Sequence, residues 1–545
     1  MRIALAQINV IIGDFEYNSN KMLDFIKQAK KENANMIIFP ELITTGYPPR
    51  DFLEFKDFIL KSEKLVNKLK KHSENIAIIF GAPTINPVIE GKDLYNSVVF
   101  LYEGKEILRQ HKTLLPTYDI FDEARYFEEA SQWNVVEFQE KKIALTVCED
   151  LWNLGNVNPL YTINPMDEMM KRNPDFIINI SASPFDYNHA NERIKILKEN
   201  VKAYNIPIIY VNHIGAQTDI IFDGGSLVIG SNQEVFCELP YFVEKLEIID
   251  FDDVIKNNNN NTQKKDKIVL IHDALVLGIK DYFGKIGFKT AVLGLSGGLD
   301  SAVTTVLAVE ALGKENVRVL LMPSQFSSEH SIKDAEDLAN NLGICYEIVP
   351  IEEIYKSYLN KLQHLFEGKP FNVTEENIQA RIRGNLLMAI SNKFGNILLN
   401  TTNKSEMAVG YGTLYGDLSG GISVIGDVYK TEIYQLAKYI NRNNEIIPVN
   451  TIIKPPSAEL RPNQKDSDSL PDYSILDPVL RLYIEGQKGP DEIIEMGYNE
   501  KLVNKILKMV NRNEFKRHQT APVLRVSPKA FGMGRRMPIV AKYLE

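Results

Sequence analysis

The chain has 545 residues, of which 44% are hydrophobic and 24% are charged, and its formal net charge is -9. A chain of this length exceeds what one hydrophobic core organises, so we expect two or three domains. The acidic balance argues against non-specific nucleic-acid binding, because such binding needs a dense positive surface that displaces counterions.

The three cysteines, Cys148, Cys237 and Cys345, lie far apart and form no C-x-x-C pair. We therefore expect neither a disulfide framework nor a structural zinc site, and a reducing cytoplasm fits best. The first residues, M-R-I-A-L-A-Q-I-N-V, alternate like a strand and lack the continuous apolar core of a signal peptide. No run of about 18 apolar residues occurs, so no membrane span is expected.

Short apolar runs alternate with helical stretches in the first part of the chain. The pattern predicts helices over Asn18–Glu32 and Asp57–His72. The predicted strands are Ile3–Val10, Met36–Phe39, Ile76–Phe80, Ser97–Tyr102, Ile143–Val147, Phe176–Ile180, Ile208–Val211 and Ser226–Gly230. This alternation indicates a layered α/β domain with much of its sheet buried.

A polar segment then interrupts the pattern. Residues 256–267 read K-N-N-N-N-N-T-Q-K-K-D-K and offer no apolar face to bury. The sequence therefore predicts a solvated linker here, between a domain over residues 1–255 and a domain over residues 268–545.

Strands and helices alternate again beyond this segment. Thr290–Leu295 is predicted to be a strand that leads through a Gly-Gly turn into a helix over Asp300–Leu312. Further strands are predicted at Val317–Met322, Tyr346–Pro350 and Gly395–Asn400. This spacing favours a doubly wound parallel sheet.

Three residues of the first domain suggest thiol chemistry. Glu41 follows a predicted strand in F-P-E-L, Lys112 lies in H-K-T-L-L-P, and Cys148 follows the apolar run Lys142–Val147. Taken singly, the cysteine fits a small core residue and the charges fit a surface. Together they supply a base, an electrostatic stabiliser and a nucleophile.

The motifs F-P-E-L, H-K-T-L-L-P and T-V-C-E-D-L-W resemble the signatures of the nitrilase superfamily, over roughly residues 1–255. The resemblance implies an αββα sandwich whose Glu41 accepts the thiol proton while Cys148 attacks an amide carbonyl. Lys112 and the backbone N–H after Cys148 then stabilise the oxyanion, ammonia leaves, and water releases the acid.

The segment L-P-T-Y-D-I-F-D-E-A-R-Y-F resembles the glutamine-binding stretch of the branch of that superfamily that is fused to NAD synthetases. This implies that Tyr118 and Phe121 line the side-chain pocket and that Ser183 contacts the amino-acid end of glutamine. Glu149 and His189 are assigned to the same site, with His189 standing where that branch usually carries Lys or Arg. Without the resemblance, Tyr118 equally fits a buried phenol.

The string S-G-G-L-D-S follows the first predicted strand of the second domain. Glycines let the backbone approach a phosphate, and the following helix N-terminus favours negative charge. It is not a Walker A loop, and a bare Gly-Gly turn is often only a turn. The string resembles the pyrophosphate loop of the N-type ATP pyrophosphatases, which implies that Asp300 holds Mg²⁺. The implied ATP-binding residues are Gly294, Leu295, Ser296, Gly297, Gly298, Leu299, Asp300 and Ser301.

Longer strings at Glu375–Met388 and Thr402–Gly421, with G-D-V-Y-K-T at Gly426–Thr431 and the tail R-N-E-F-K-R-H-Q, resemble NAD synthetase signatures. They imply a Rossmann-like sheet of the adenine nucleotide alpha hydrolase type. The implied contacts are Asn377, Arg381 and Lys516 with deamido-NAD, Thr401 and Lys430 with ATP, and Glu406 with Mg²⁺ or the dinucleotide. Without the resemblance, Arg381 and Arg383 fit a solvated helix face and Lys430 a surface lysine.

One residue departs from those signatures: Thr402 stands where the family usually has glycine. If the position needs a positive φ, we expect strain at Thr402.

Together the resemblances imply ATP-dependent amidation of deamido-NAD with ammonia from L-glutamine. The cysteine spacing favours a cytoplasmic enzyme, and the large sandwich faces of an α/β amidase favour a homo-oligomer. Its partners are small-molecule substrates, with no nucleic acid and no membrane. Two alternatives stay open: an amide synthetase of the same type that acts on another carboxylic acid, and an ammonia-dependent enzyme whose first domain is only a scaffold.

Overall fold

The computed structural model describes residues 1–154, 159–256, 266–462 and 464–544. The chain divides into two compact units, Met1–Lys265 and Asp266–Glu545. Of the predicted linker at 256–267, residues 257–265 lie outside the described residues.

The first unit is built on two sheets. Its strands are β1 (Arg2–Gln7), β2 (Met36–Ile38), β3 (Ala77–Ile85), β4 (Leu94–Tyr102), β5 (Lys105–His111), β6 (Val135–Phe138), β7 (Lys141–Val147), β8 (Phe176–Ser181), β9 (Ile208–Asn212), β10 (Ile214–Gln217), β11 (Ile220–Asp223), β12 (Leu227–Ile229), β13 (Val235–Glu238) and β14 (Lys245–Asp250). Its helices are α1 (Phe15–Lys31), α2 (Lys56–Lys70), α3 (Pro165–Met170), α4 (His189–Tyr204) and α5 (Phe251–Lys256).

One sheet has the order β14-β1-β2-β3-β4-β5 and the other β13-β12-β9-β8-β7-β6. Side chains alternate along each strand, so both faces of a strand can be buried. In β1, Ile3 and Leu5 join the core between the two sheets, whereas Ala4 and Ala6 pack with residues of α1 and α2. Residues of α3 and α4 cover the outer face of the second sheet. The predicted αββα sandwich is confirmed.

Several strands lacked a clear sequence signal. Strand β5 reads K-E-I-L-R-Q-H, lies at the edge of its sheet and is only partly buried, so its residues do not alternate between apolar and polar. Helix α1 begins at Phe15, earlier than predicted, because the side chain of Asp14 caps it by accepting from the N–H of Tyr17.

The second unit is built on one parallel sheet. Its strands are β15 (Ala291–Gly294), β16 (Val317–Leu321), β17 (Cys345–Ile348), β18 (Ile397–Asn400) and β19 (Ile422–Ser423). Its helices are α6 (Lys267–Ile286), α7 (Leu299–Leu312), α8 (Glu329–Leu342), α9 (Glu352–Leu362), α10 (Val373–Phe394), α11 (Lys404–Val409), α12 (Lys430–Ile440), α13 (Val449–Ile453), α14 (Tyr473–Ile484), α15 (Pro490–Glu495), α16 (Glu500–Arg512) and α17 (Glu514–Arg517).

The strand order is β17-β16-β15-β18-β19, and every neighbouring pair is parallel. The order reverses between β15 and β18, and ligands of doubly wound sheets bind at the carboxyl ends of strands at such a point. The predicted doubly wound sheet is confirmed. Helices α11, α14 and α16 form a separate apolar cluster.

Within the described part of the chain, no helix combines the length and apolar content that spanning a bilayer requires.

Candidate active sites

The first site lies at the ends of strands in the first unit. Glu41 follows β2, Lys112 follows β5 directly, and Cys148 opens a short 3-10 helix immediately after β7. All three side chains are buried, with exposed fractions of 0%, 0% and 4%. The fold thus carries residues from both sheets into the interior at one end of the sandwich.

Lys112 is held between two carboxylates. Its Nζ atom donates to Glu41 Oε1 at 2.8 Å and to Glu123 Oε1 at 2.8 Å. Burial lowers the pKa of Lys112, but the charges of Glu123 and Glu41 outweigh burial and hold that pKa well above its usual value. Lys112 therefore stays positively charged inside the protein.

Both carboxylates have further donors. The amide nitrogen of Asn96 donates to Glu41 Oε1 at 2.7 Å, and the backbone N–H of Ala182 donates to Glu41 Oε2 at 2.9 Å. The hydroxyl of Tyr47 donates to Glu123 Oε1 at 2.9 Å. These bonds fix the orientation of Glu41, which is what a proton-accepting group at a reaction centre requires.

Cys148 occupies a tight turn. Its φ is 43°, in the left-handed region that residues other than glycine rarely adopt. Asp150 supports this turn, since its carboxylate accepts from the N–H of Val147 at 3.0 Å and from the N–H groups of Thr113 and Leu114 at 2.9 and 3.0 Å. Asp150 therefore ties the cysteine turn to the segment that follows Lys112.

The thiol of Cys148 is neutral at rest. Burial and the charge of Glu41 raise its pKa well above the usual value, and Lys112 only partly opposes them. A buried neutral thiol becomes a nucleophile only when a neighbouring base takes its proton. Among the neighbouring charges, that of Glu41 acts most strongly on the pKa of Cys148.

The residues that the sequence predicts to bind the substrate glutamine form two groups. In the first, the hydroxyl of Tyr118 donates to Glu149 Oε1 at 3.0 Å, and that of Tyr161 donates to the same oxygen at 3.2 Å. The ring of Phe121 packs edge-on against Tyr118, with centroids 5.5 Å apart. The residue Tyr118 is 39% exposed, and its hydroxyl is held by Glu149.

In the second group, Ser183 Oγ lies 2.6 Å from His189 Nε2, and the imidazole stacks on Trp152 at a centroid distance of 4.8 Å. Ser183 directly follows Ala182, whose N–H holds Glu41. Asn212 Oδ1 accepts from the N–H of Ser183 at 2.8 Å. The loop after β8 therefore holds Glu41 through the N–H of Ala182 and also carries Ser183, the predicted glutamine contact.

The second site is a cavity of 470 Å³ in the second unit, at the carboxyl ends of β15, β16 and β18. The predicted residues on its wall are Gly294, Leu295, Ser296, Gly298, Leu299, Asp300, Ser301, Asn377, Thr401, Glu406, Lys430 and Lys516. Gly297 and Arg381 are absent from this wall as it is formed by the described residues.

Gly297 shapes the Gly-rich loop. Its φ is +79°, and an added Cβ would lie 2.1 Å from the carbonyl oxygen of Ser331. Only glycine fits this position. Ser296 Oγ lies 3.1 Å from Ser301 Oγ and accepts from the N–H of Gly298 at 3.2 Å. The loop is thus formed by its own polar groups at the N-terminus of α7, where an anion is favoured.

Asp300, Glu406 and Lys430 form a charged cluster on the cavity wall. Lys430 is ion-paired with Asp300, and its Nζ atom lies 3.8 Å from Glu406 Oε1. Burial and the charge of Asp300 raise the pKa of Glu406 well above its usual value. One lysine therefore faces two crowded carboxylates, a set of groups that would gain from a second cation.

Lys516 and Asn377 also have partners near the cavity. Lys516 Nζ donates to the carbonyl oxygens of Gly410 and Gly412 at 2.7 and 2.9 Å. Asn377 Oδ1 accepts from the hydroxyl of Thr413 at 2.7 Å.

The side chain of Arg381 is exposed, and its Nε donates to the carbonyl oxygen of Leu414 at 3.2 Å. One expectation from the sequence turns out differently: the backbone of Thr402 is not in the left-handed region, so the strain expected there is absent. Instead the N–H of Thr402 donates to Asn400 Oδ1 at 3.0 Å.

Sequence reasoning missed Glu123, Asn96 and Asp150 in the first unit and Arg383 in the second. Glu123 and Asp150 lie inside strings that were singled out for other residues, but a carboxylate in a loop gives no local sign that it is buried. The second cavity is also lined by several residues between 454 and 466, a stretch without a strong pattern.

Lys404 was missed as a structural residue: its Nζ lies 2.9 Å from Asp427 and 2.6 Å from Ser527 Oγ, which fixes the C-terminal segment.

Comparisons with known proteins match both units of the chain. The carbon-nitrogen hydrolase family model matches residues 2–258, and the NAD synthase family model matches residues 271–520. A glutamine-dependent NAD(+) synthetase of Synechocystis sp. is 44% identical over 99% of this chain and 99% of the relative. One of Thermotoga maritima is 39% identical over 100% of this chain and 99% of the relative. A solved glutamine-dependent NAD+ synthetase from Acinetobacter baumannii in complex with ADP is 37% identical, covers 99% of this chain and 98% of its own, and has a TM-score of 0.78.

Proposed function

Because the chain belongs to the family of glutamine-dependent NAD(+) synthetases, we propose that its two units divide the family's reaction between them. The chain is a carbon–nitrogen ligase that uses ATP to amidate deamido-NAD with nitrogen from L-glutamine, giving NAD, AMP, pyrophosphate and L-glutamate. In the proposed division, Met1–Lys265 releases ammonia from glutamine and Asp266–Glu545 activates and amidates deamido-NAD.

The buried contact between Lys112 and Glu41, close to Cys148, carries the proposal for the first unit. Glu41 takes the thiol proton as the sulfur of Cys148 attacks the amide carbon of glutamine. The ammonium of Lys112 and the backbone N–H after Cys148 stabilise the oxyanion. The proton on Glu41 passes to the leaving nitrogen, so ammonia departs and a thioester remains. Glu41 then activates water, which releases glutamate and restores the thiol.

Glu123 and Asn96 serve this step as positioning residues. Glu123 shares Lys112 with Glu41, and Asn96 donates to Glu41 Oε1 at 2.7 Å and to Glu123 Oε2 at 3.3 Å. A charge-assisted network of this kind keeps the ammonium in one place as charge develops on the substrate.

Glutamine is proposed to bind with its side chain beside Tyr118 and Phe121 and its amino-acid end toward Ser183 and His189. The Tyr118–Phe121 pair and the Glu149 carboxylate supply an apolar wall with one acceptor. Ser183 and His189 supply polar groups at 2.6 Å from one another. An acceptor at one end and donors at the other match an amide and an amino-acid group.

The Glu149 carboxylate predicts a pH effect on glutamine hydrolysis. Burial raises the pKa of Glu149 to about 7, so its carboxylate predominates only above that pH. We expect kcat/KM for glutamine to fall below about pH 7, as the group that accepts from Tyr118 and the substrate becomes protonated. Profiles of wild type and Glu149→Gln measure this. The variant should be slower and should lack this acidic limb; a limb of equal size in the variant would assign it to another group.

In the second unit, Gly294 to Ser301 are proposed to cradle the triphosphate of ATP. The carboxylate of deamido-NAD attacks the α-phosphorus, and pyrophosphate leaves. Lys430 balances the charge of the leaving group, and Thr401 also contacts ATP. Ammonia then attacks the acyl-adenylate and releases AMP. Asn377, Arg381 and Lys516 are proposed to hold deamido-NAD.

Asp300 and Glu406 would hold Mg²⁺. Among the described residues no cluster of three or more His, Cys, Asp or Glu side chains is suited to a metal. However, Mg²⁺ is commonly bound through one or two carboxylates plus substrate phosphates, and the two crowded acids beside Lys430 fit that arrangement. The ion would neutralise phosphate charge during adenylyl transfer.

Product analysis tests the division of the reaction. Wild type is supplied with ATP, Mg²⁺, deamido-NAD and glutamine labelled with ¹⁵N at the amide. We expect the label in the carboxamide of NAD, together with equal amounts of AMP and glutamate. A second reaction also contains unlabelled ammonium salt. If NAD forms only in that reaction, carries no label and is accompanied by no glutamate, the first unit is inactive.

Cys148, Cys237 and Cys345 are all free thiols, which supports a reducing cytoplasm. We also propose that the protein is a homo-oligomer, which sedimentation of the purified full chain measures directly.

A further inference from the structure

Arg383 is a cationic residue of the second cavity to which no role has been given above. It lies on α10 and on the cavity wall. Its Nε donates to the carbonyl oxygen of Met322 at 3.0 Å. Met322 follows β16 directly, and β16 is the neighbour of β15, from which the Gly-rich loop starts. The guanidinium therefore lies at the carboxyl end of the strand beside the proposed phosphate cradle.

The other cations of the wall already have partners. Lys430 is paired with Asp300, Lys454 Nζ lies 2.9 Å from Asp334, and Lys516 donates to two backbone carbonyls. Arg383 makes no ion pair with any carboxylate of the described residues. Its terminal N–H groups, two on each Nη atom, have no protein acceptor in that part of the chain.

An unpaired charge of this kind is costly to keep in a cavity. Burial lowers the pKa of Arg383 to about 10, since the charges of Asp417 and Glu459 only partly compensate. The group is nevertheless charged at neutral pH. A guanidinium held by one nitrogen and open at the others is pre-organised to donate two parallel hydrogen bonds to an oxyanion.

We propose that Arg383 binds ATP, through the α-phosphate and ribose oxygens that extend from the Gly-rich loop across the end of β16. The inference rests on the proposed phosphate cradle at Gly294 to Ser301. The nucleotide enters at the carboxyl ends of the strands, as doubly wound sheets require. With the β- and γ-phosphates on the loop after β15, the rest of the molecule passes over the neighbouring strand, where Arg383 lies. Arg383 thus sets ATP affinity, while Lys430 serves the leaving pyrophosphate.

The test uses Arg383→Ala and Arg383→Lys in the full chain, assayed for NAD synthesis from ammonium salt. The exposed Arg442, which lies over the ring of Tyr439 in the same unit, provides the matched control Arg442→Ala. We expect Arg383→Ala to raise the KM for ATP about 10- to 100-fold, the usual range for losing hydrogen bonds to a charged group. Arg383→Lys keeps the charge but not the paired donors, so an intermediate increase is expected. The KM for deamido-NAD should change about threefold or less.

Two results would overturn the inference: an unchanged KM for ATP in Arg383→Ala, or a KM for deamido-NAD that rises as much as that for ATP. If the alanine variant fails to fold, as judged by its thermal unfolding, Arg383→Lys decides by the same two criteria. Calorimetric binding of a non-hydrolysable ATP analogue gives an independent readout. Wild type must make NAD from ATP, deamido-NAD and ammonium in the same assay; if it does not, the proposed function fails, whatever Arg383 does.

Discussion

Replacing Cys148 with alanine is expected to abolish NAD synthesis from glutamine and to leave synthesis from ammonium salt close to the wild-type rate. The thiol is the proposed nucleophile for the glutamine amide, and Glu41 and Lys112 have nothing to activate without it. Loss of a covalent nucleophile costs on the order of 10⁴-fold or more in kcat. The synthetase residues belong to the other unit, Asp266–Glu545, and do not need the thiol.

The measurement compares NAD formation from each nitrogen donor at saturating ATP and deamido-NAD, together with glutamate release. Cys237→Ala is the matched control, because Cys237 is a partly buried cysteine on β13 in the same unit and has no place in the proposed chemistry. Loss of both activities in a folded Cys148→Ala protein would mean that the reaction is not divided as proposed. Glutamine-driven synthesis that survives in the variant would remove Cys148 from the mechanism.

Replacing Asp300 with alanine is expected to give the reverse pattern: NAD synthesis stops with either nitrogen donor, while some glutamine hydrolysis continues. Asp300 is paired with Lys430, and Asn403 donates to its other oxygen at 3.0 Å. Without Asp300 the cluster keeps one carboxylate, Glu406, to hold a cation against the phosphates. We expect a loss of about 10²- to 10³-fold or more, as for other groups that stabilise developing charge.

AMP and NAD formation measure the first effect, and glutamate formation measures the second. Asp300→Asn adds a dose–response test, since an amide is a weaker ligand and more Mg²⁺ should be needed for half-maximal rate. Asp491→Ala is the control, because Asp491 is an exposed acid in the first turn of α15. Full NAD synthesis in Asp300→Ala would refute the proposed metal site.

Much of the fold was predictable because its signals are local. Buried strands show as apolar runs, and turns show as Gly or polar clusters between them. The runs that became β1, β2, β7, β8 and β15 are examples. Edge strands such as β5 were not predicted. A strand that is only partly buried and carries mixed polar residues does not show the two-residue hydrophobic period by which strands are recognised.

The arginines of α10 show where local reasoning stops. Arg381 and Arg383 are two residues apart, which on an α-helix is a rotation of about 200°. One is therefore exposed beside Leu414, whereas the other lies on the cavity wall. The sequence predicts a helix that carries two arginines, but only the packing of α10 against the sheet decides which one lines the cavity.

The sequence by itself determined the two α/β architectures and the positions along the chain of the candidate residues. This was possible because each strand, the Gly-rich loop and each motif consists of residues that are neighbours in the sequence. Only the tertiary structure decided that Glu123 joins Glu41 on Lys112, that Asp150 ties the Cys148 turn to Thr113, and that Arg383 points into the cavity. Those contacts join segments up to tens of residues apart, and their energies depend on burial and on the distances between charges, which no local pattern encodes.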